Sequence, residues 1–261
     1  MTERENKKMK TTTIAEIKNC FDKIISTNLS KSWDNDGLTV DINSDKEVKK
    51  VVIALDATSN ALAYAKKVGA NLVITHHSLV FDKLSSVSIK DSVGKRVIYA
   101  AQNDISVLSF HTRLDAMRGG VNDALVEKLG GNEIGIFADG VGRIMELPFK
   151  MSPQALKTYL KEKLNTQNIC IYPNHEIINT IALIGGGGKG YIKEAYETGA
   201  DAYLTGEVTH SAIIDAKELG LTLCTGTHYA TEAVVLEQLK EILQAEFPEV
   251  PCDIYYEYEN F

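Results

Sequence analysis

The sequence has few cysteines, a single tryptophan and no long uninterrupted apolar run. Its four cysteines, Cys20, Cys170, Cys224 and Cys252, lie far apart and form no CxxC pair. This spacing argues against a disulfide framework and a cysteine-rich zinc site, and it fits reduced thiols in the cytosol. No stretch approaches the ~18 consecutive apolar residues of a membrane-spanning helix, and residues 1–10 lack the apolar core of a signal peptide. We therefore expect a soluble, cytoplasmic protein without a membrane partner.

Basic residues are also in short supply. The 28 lysines and arginines are outnumbered by 35 aspartates and glutamates, which gives a formal net charge of −7. This balance disfavours nucleic acid as a partner, because binding to nucleic acid depends on neutralising phosphates. The length of 261 residues and the hydrophobic content of 44% allow one large globular domain or two small ones.

Apolar runs alternate with helical patterns along the chain. This alternation is typical of strand–helix–strand units with a parallel sheet, in which functional residues collect at the carboxyl ends of the strands. In the first half the pattern predicts helices over 11–28, 60–68, 93–102 and 121–129, and strands over 51–56, 72–75 and 105–110. In the second half it predicts short strands and turns over 132–150, a helix from 152 to about 164, a strand over 181–184 and a helix over 191–198.

Histidines and carboxylates stand at the ends of apolar runs, in three separate stretches. Imidazole nitrogens and carboxylate oxygens are the usual ligands of divalent zinc, manganese, iron and nickel, so we interpret the stretches as parts of one metal site. Adjacent side chains on a strand point to opposite sides, so a histidine pair at a strand end either converges after a turn or ligates two different ions. The stretches are His76-His77, His111 with Asp115, and His228 with Glu232.

The sequence pattern of the first half of the chain recurs in the second half. This internal repeat predicts an α/β fold of two similar lobes. The segment Gly69–Thr75 matches Gly199–Thr205 at an offset of 130 residues. Further on, the offset falls to 117 and the two His-x-x-x-carboxylate stretches lie opposite each other. We expect closely packed lobes, with terminal elements free to exchange and a metal site between them, over residues 1–130 and 131–261.

A site between the lobes would draw His76, His77 and Asp115 from the first lobe and His228 and Glu232 from the second. Five protein ligands are too many for a four-coordinate structural zinc. They suit two ions ~3.5–4 Å apart with open positions, which favours a catalytic site, and Asp115 is the natural bridging carboxylate. The alternative is that the ligands only hold the lobes together, in which case stripping the metal would unfold the protein.

A glycine-rich loop, Gly185–Gly190, follows the strand over 181–184 and precedes a helix. Such a loop can bind phosphate through backbone N–H groups and the helix N-terminus, which makes Gly186, Gly187 and Gly188 candidate phosphate contacts. The loop is not a P-loop, because its sequence does not satisfy Gly-x4-Gly-Lys-Ser/Thr. The alternative is a tight turn with close packing.

The only tryptophan, Trp33, opens a turn and is either a packing anchor or a residue at the edge of the site. It begins a series of five motifs, Trp33-Asp34-Asn35-x-Gly37-Leu38, Thr75-His76-His77, His111-x-x-Leu114-Asp115, Gly206-Glu207 and Gly226-x-His228-x-x-Thr231-Glu232. In their order and spacing, the motifs resemble the GTP cyclohydrolase I type 2 homologues, also called the Ngg-interacting-factor-three-like family. The likeness extends from about residue 14 to residue 257 and fits the short form of the family, without an inserted domain.

The resemblance implies properties that spacing alone does not show. It implies two similar α/β lobes, a toroidal homohexamer with the sites facing an inner cavity, and a dinuclear metal centre. Two divalent ions are expected per chain, from zinc, manganese, iron, cobalt and nickel. His111 matches a family histidine close to the metals and is expected beside the ligands rather than among them. The implied ligands are His76, His77, Asp115, His228 and Glu232.

The function expected from this site is metal-dependent hydrolysis. The resemblance implies chemistry like that of GTP cyclohydrolase, in which water adds to the imidazole ring of guanine, and His111 or Glu207 could act as the general acid. The expected substrate class is a nucleotide-like or other phosphorylated small molecule. The alternative is a non-catalytic, ring-shaped metal-binding scaffold or metal chaperone that engages protein or nucleic-acid partners.

Overall fold

The computed structural model describes residues 11–258, so the prediction that residues 1–10 carry no signal peptide lies outside the described residues, as do residues 259–261. The fold is mixed α/β with two sheets, and the α/β class is as predicted. The strands are β1 (Gly37–Val40), β2 (Val51–Ala54), β3 (Leu72–Thr75), β4 (Ser106–Ser109), β5 (Asn132–Phe137), β6 (Gly142–Met151), β7 (Cys170–Tyr172), β8 (Ile178–Ile184), β9 (Ala202–Thr205), β10 (Thr222–Thr225) and β11 (Cys252–Tyr255).

Helices connect most of these strands, and none within residues 11–258 is both long and apolar enough to cross a bilayer. The helices are α1 (Ile14–Ile24), α2 (Ser59–Lys67), α3 (Ser92–Gln102), α4 (Thr112–Ala116), α5 (Val121–Leu129), α6 (Pro153–Lys163), α7 (Ile192–Glu197), α8 (His210–Leu219), α9 (His228–Glu232) and α10 (Leu236–Glu246). Short 3₁₀ turns occupy Thr27–Leu29, Ala138–Gly140, Gly188–Tyr191 and Ala233–Val235.

Local capping explains where α1 begins and where α5 ends. α1 covers Ile14–Ile24 rather than the predicted 11–28, and its start is set by a capping box that Thr13 and Glu16 form. α5 has the predicted bounds and ends at Gly130, whose left-handed conformation closes the last turn.

The first sheet has the strand order β1-β4-β3-β2-β11. β4, β3, β2 and β11 run parallel, and β1 pairs antiparallel with β4 at the edge. The C-terminal strand β11, which falls in the second predicted lobe, therefore extends the sheet of the first. Its Ile254 pairs with Ile53 in register.

The second sheet has the strand order β5-β6-β8-β9-β10-β7. β8, β9 and β10 are parallel, while β5, β6 and β7 pair antiparallel with their neighbours. Leu125 and Leu129 of α5 pack in the core of this sheet beside Met145 and Leu183, although α5 precedes residue 130. Each sheet thus contains three successive parallel strands linked by helices, and the two-lobe repeat itself stays a prediction.

A buried arginine fixes the short helix α4, which carries Asp115. The side chain of Arg113 is 1% exposed and forms ion pairs with Asp22 at 2.7 Å and with Asp36 at 2.9 Å. Its guanidinium also lies 4.7 Å from the ring of Phe110, the residue between β4 and His111. A buried cation is tolerated when it is paired in this way, so these contacts set the position of α4 against the end of β4.

Candidate functional site

The carboxyl ends of parallel strands from both sheets converge at one place. In the first sheet, β3 leads into His76 and His77, and β4 leads towards His111. In the second sheet, β9 leads towards Glu207 and β10 towards His228. Since His77 Nε2 and His228 Nε2 are 3.3 Å apart, the two sheet edges meet at these side chains.

His76 and His77 converge because the backbone leaves the ladder immediately after β3. The N–H of His77 donates to the carbonyl of Leu55 at 3.0 Å, and the hydroxyl of Thr75 donates to the carbonyl of His77 at 2.7 Å. With the turn fixed in this way, the two imidazole centroids lie 4.8 Å apart. The turn therefore directs both rings into one cluster, in which each ring can ligate a different ion.

Two carboxylates complete the cluster. Glu232 Oε2 lies 3.0 Å from His228 Nε2, 3.1 Å from His77 Nε2 and 3.8 Å from His76 Nε2. Asp115 Oδ1 lies 3.6 Å from His76 Nε2. The longer glutamate therefore reaches three of the imidazoles, whereas Asp115, expected from the sequence to be the shared carboxylate, is close to one.

The donor atoms fit a divalent metal ion. His76 Nε2 and Glu232 Oε2 are buried and have no hydrogen-bond partner among the described residues, so the short approaches around Glu232 lack hydrogen-bond geometry. An unpaired buried polar atom costs about 1–3 kcal/mol, and a bound cation would satisfy both atoms at once. Three groups of side chains have donor atoms within 4.8 Å of one another and could hold an ion, namely His76-His77-His111, His77-His228-Glu232 and His76-Asp115-Glu232.

The Nδ1 atom of each imidazole in the cluster forms a hydrogen bond with an oxygen atom outside the cluster. Carbonyl and carboxylate oxygens only accept hydrogen bonds, so Nδ1 carries the proton and a neutral ring presents its Nε2 lone pair. Such outer partners orient histidine ligands in metal sites. The pairs are His76 with the Phe110 carbonyl at 3.0 Å, His77 with Asp56 at 2.9 Å, His111 with Asp34 at 2.8 Å, and His228 with Glu207 at 3.2 Å.

His111 stands beside the other rings, with its centroid 5.4 Å from that of His76 and 5.6 Å from that of His77. Its partner Asp34 also accepts hydrogen bonds from the N–H and hydroxyl of Thr112, at 3.0 and 2.6 Å. Although burial opposes ionisation, the bonds from His111 and Thr112 lower the pKa of Asp34 well below its ordinary value. An ionised Asp34 fixes the orientation of the His111 ring.

The cluster binds protons strongly in the absence of an ion. Burial opposes the cationic form of His77, yet Asp56 and Glu232 raise the pKa of His77 to about 10. Glu232 likewise raises the pKa of His228 to about 9. Burial raises the pKa of Asp115 to about 6. A metal ion must therefore displace protons from this cluster, which makes its affinity dependent on pH.

The short helix α9 places two of these side chains together, because residues four apart lie on one helical face. His228 and Glu232 have this spacing, and their facing atoms are 3.0 Å apart. The residue before the helix, Thr227, has φ +64° and accepts a hydrogen bond from Ala230 N–H through its hydroxyl. A threonine in this conformation is strained by about 1–3 kcal/mol, and such strain is concentrated at functional sites.

The glycine-rich loop packs directly against the cluster. A Cβ atom on Gly186 would lie 1.8 Å from Glu232 Oε1 and 3.0 Å from His228 Nε2, so only glycine leaves room for this carboxylate. The N–H of Gly186 already donates to the Thr231 hydroxyl at 3.0 Å, and that of Gly188 donates to the Thr205 hydroxyl at 2.9 Å. These two amides are therefore occupied by protein acceptors, and phosphate binding by the loop stays a prediction that now depends on Gly187.

A cavity of about 600 Å³ opens beside the cluster and gives a small molecule access to it. Its lining includes Asp56, His77, Glu207, His228 and Tyr229. The side chain of Glu207 is 65% exposed, so its carboxylate is accessible from this cavity. A larger cavity of about 730 Å³, between α5, α10 and the C-terminal segment, is lined by none of the cluster residues.

The structure brings all five predicted ligands together with His111 and Glu207. The sequence reasoning missed Asp56 and did not assign a role to Asp34, which hold Nδ1 of His77 and His111. Asp56 lies just beyond β2, at the same sheet edge as the histidines, so the rule that functional residues follow parallel strands could have identified it.

Comparisons with known sequences give one consistent result. The sequence model of the family described as Duf34/NIF3 (NGG1p interacting factor 3) matches residues 12–259. A relative from Clostridium perfringens, named GTP cyclohydrolase 1 type 2 homolog, is 35% identical over 88% of this chain and 92% of its own length. A relative of the same name from Methanocaldococcus jannaschii is 33% identical over 88% of this chain and 94% of its own length.

Solved structures show the same fold. The hypothetical protein SA1388 of Staphylococcus aureus superposes with a TM-score of 0.87 at 26% identity, covering 94% of this chain and 97% of that one. Reduced HcgD from Methanocaldococcus jannaschii superposes with a TM-score of 0.82 at 31% identity, covering 95% of this chain and 99% of that one.

Proposed function

The chain belongs to the Duf34/NIF3 family, and from this premise we propose that it is a hydrolase that depends on two divalent metal ions and acts on a nucleotide-like or other phosphorylated small molecule. When bound, such ions would activate water and polarise the bond to be cleaved. The observation that carries the proposal is a pair of buried donor atoms, His76 Nε2 and Glu232 Oε2. They lie inside a cluster of imidazoles and have no hydrogen-bond partner within residues 11–258.

Two of the candidate ligand groups share one residue. His76 and Asp115 would hold one ion, His77 and His228 the other, and Glu232 belongs to both groups. Asp56 accepts the His77 Nδ1 proton and thereby keeps the Nε2 lone pair of a neutral ring directed into the cluster. These side chains come from both sheets, so the ions would lie where the sheet edges meet.

Proton transfer requires groups that are close to the ions and open to a substrate. We assign this role to His111 and Glu207. The carboxylate of Glu207 is exposed in the cavity and accepts from His228 Nδ1, so it can take a proton from bound water or return one to a leaving group. His111 is 20% exposed, and its Nδ1 is held by Asp34, which leaves Nε2 for the substrate.

Access to solvent favours an enzyme over a site that only holds the fold together. The side chains of His77 and His228 are 23% and 37% exposed, and both line the cavity. A structural site has no need for an open approach, because all its coordination positions are filled by protein. Removal of the ions should therefore abolish turnover and leave most of the structure intact.

Self-assembly is the second part of the proposal, because the family resemblance implies a ring of six chains. The edge strand β5 exposes Ile134 and Ile136, at 53% and 52%, on a face that a second copy could cover. Light scattering on the purified protein should give six times the mass of the 28.7 kDa chain. A mass of one chain would refute the ring.

Metal content is the first experiment. We expect about two ions per chain in gently purified protein, and we expect their loss in His76→Ala and Asp115→Ala. His210→Ala is the matched control, because His210 is an exposed histidine outside the cluster. The loaded protein is then tested for turnover of nucleotides, starting with GTP because of the relatives' name.

The outcomes separate the alternatives. Turnover by the parent and by His210→Ala, but not by the two cluster variants, would support the hydrolase. Failure to bind manganese, zinc or iron after repletion would refute it. Unfolding on removal of the ions would indicate a structural site instead, which thermal unfolding of the metal-free protein would detect.

A further inference from the structure

Two large aromatic side chains are exposed at the outer side of the His111 ring. Trp33 is 63% exposed and Phe81 is 44% exposed. Their ring centroids lie 6.3 and 5.7 Å from that of His111, and 6.2 Å from each other. Because His111 in turn contacts His76 and His77, one imidazole separates these rings from the candidate ligands.

Hydrogen bonds between two loops hold this pair of rings in place. Asn35 donates from its side chain to the carbonyl of Val80 at 2.5 Å, and the hydroxyl of Ser78 donates to the carbonyl of Asn35. The first loop carries Trp33 and the second carries Phe81. The two rings are therefore linked through the segments on which they stand, and Asp34 links the first loop to His111.

The orientation of the rings leaves area for a stacking ligand. Their planes are inclined by 63° to each other, and by 76° and 85° to the plane of His111, so none of the three contacts is a parallel stack. Exposed, positioned aromatic rings are the usual element with which proteins bind flat heterocycles, because every such ring has a π-face that stacks without regard to its exact substituents.

We propose that Trp33 and Phe81 form a platform that binds the planar heteroaromatic ring of the substrate, as in a purine nucleotide, next to the metal cluster. This inference rests on the proposed function and specifies its substrate class. A ring held on the platform adjoins His111, which places the heterocycle on the side of the cluster that this imidazole occupies.

Trp33 is the only tryptophan of the chain, so its fluorescence reports directly on the platform. We would titrate metal-loaded protein with GTP, guanosine and ribose 5-phosphate, using N-acetyltryptophanamide to correct for light absorbed by the ligands. Quenching by the two base-bearing compounds, but not by ribose 5-phosphate, is expected. Phe81→Ala should weaken binding by about 5- to 150-fold. Phe149→Ala, which removes a 59% exposed ring on β6, is the matched control and should bind as the parent does.

Three results would overturn the platform. These are the absence of quenching by every base-bearing compound, equal quenching by ribose 5-phosphate, and unchanged affinity in Phe81→Ala. An emission change that follows protein concentration without ligand would mean that the rings pack against a second copy, which also overturns it. Ion counting distinguishes the failure of the platform from the failure of the metal hydrolase. Two bound ions per chain without quenching by any base-bearing compound would refute only the platform. Quenching by the base-bearing compounds in protein that binds no ions would refute the metal hydrolase and retain the platform.

Discussion

Replacing Gly186 by alanine would place a methyl carbon 1.8 Å from Glu232 Oε1. Cβ contacts shorter than 3.0 Å essentially do not occur, so the carboxylate or the loop must move by about 1.2 Å, the difference between these distances. Metal–ligand distances tolerate only about 0.2 Å of deviation. Because Glu232 belongs to two of the candidate ligand groups, we expect Gly186→Ala to lose both ions.

Stability should fall as well, for a separate reason. Gly186 has φ +62°, a conformation that costs an alanine roughly 1–2 kcal/mol. In a chain of this size, that loss corresponds to a decrease in melting temperature of roughly 2–8 °C. The neighbouring variant Gly187→Ala is the matched control, because residue 187 has φ −90° and a Cβ there would meet no atom of the described chain within 4 Å.

The assay combines ion counting after dialysis, competition with a chelator and thermal unfolding of the metal-free proteins. A folded Gly186→Ala protein that keeps the metal content and affinity of the parent would refute the assignment of Glu232. If Gly186→Ala does not fold, Glu232→Gln tests the same assignment without the added methyl group, because it removes the charge and retains the shape.

Three further predictions concern protons and outer partners. Metal binding at pH 7 should release protons, because the pKa values of about 10 for His77 and about 9 for His228 keep both rings charged without an ion. Calorimetry in buffers of different ionisation enthalpy should measure the number of protons released. Asp56→Asn should lower metal affinity roughly 10- to 100-fold in a chelator competition. Burial opposes the ionisation of Asp123, but its pairing with the buried Arg143 lowers the pKa of Asp123 below 3.8. The ion pair therefore stabilises the folded protein above pH 3.8, and this stabilisation is lost as the pH falls through the folded-state pKa of Asp123. Asp123→Asn should cost about 3–5 kcal/mol at pH 7 by urea unfolding and flatten that acid dependence.

Local periodicity was sufficient to locate much of the parallel core. The predicted strands over 51–56, 72–75 and 105–110 correspond to β2, β3 and β4, although the observed strands β2 and β4 are shorter. A short apolar run bounded by turn residues carries this information without reference to the rest of the chain. The strand β11 was missed, because its four partly buried residues become a strand only by pairing with β2.

The partners outside the cluster were harder to predict than the ligands. Asp34 lies 77 residues from His111 in the sequence, and Asp56 lies 21 residues from His77. Nothing in the spacing of these residues indicates contact, because the distances between their side chains depend on how the loops fold over the sheet edge. The role of the glycine loop also depended on packing, since the Gly186 N–H is directed to Thr231.

The sequence by itself determined the α/β class, the family and the residue types of the candidate ligands, because the alternation of apolar residues and the position of histidines after strands are local properties. The tertiary structure alone decided that the ends of strands from two sheets meet, with His77 and His228 in contact across 151 residues of sequence. It also decided which oxygen holds each imidazole, and that Trp33 is exposed rather than a packing anchor. These are properties of long-range packing, which a short stretch of sequence cannot specify.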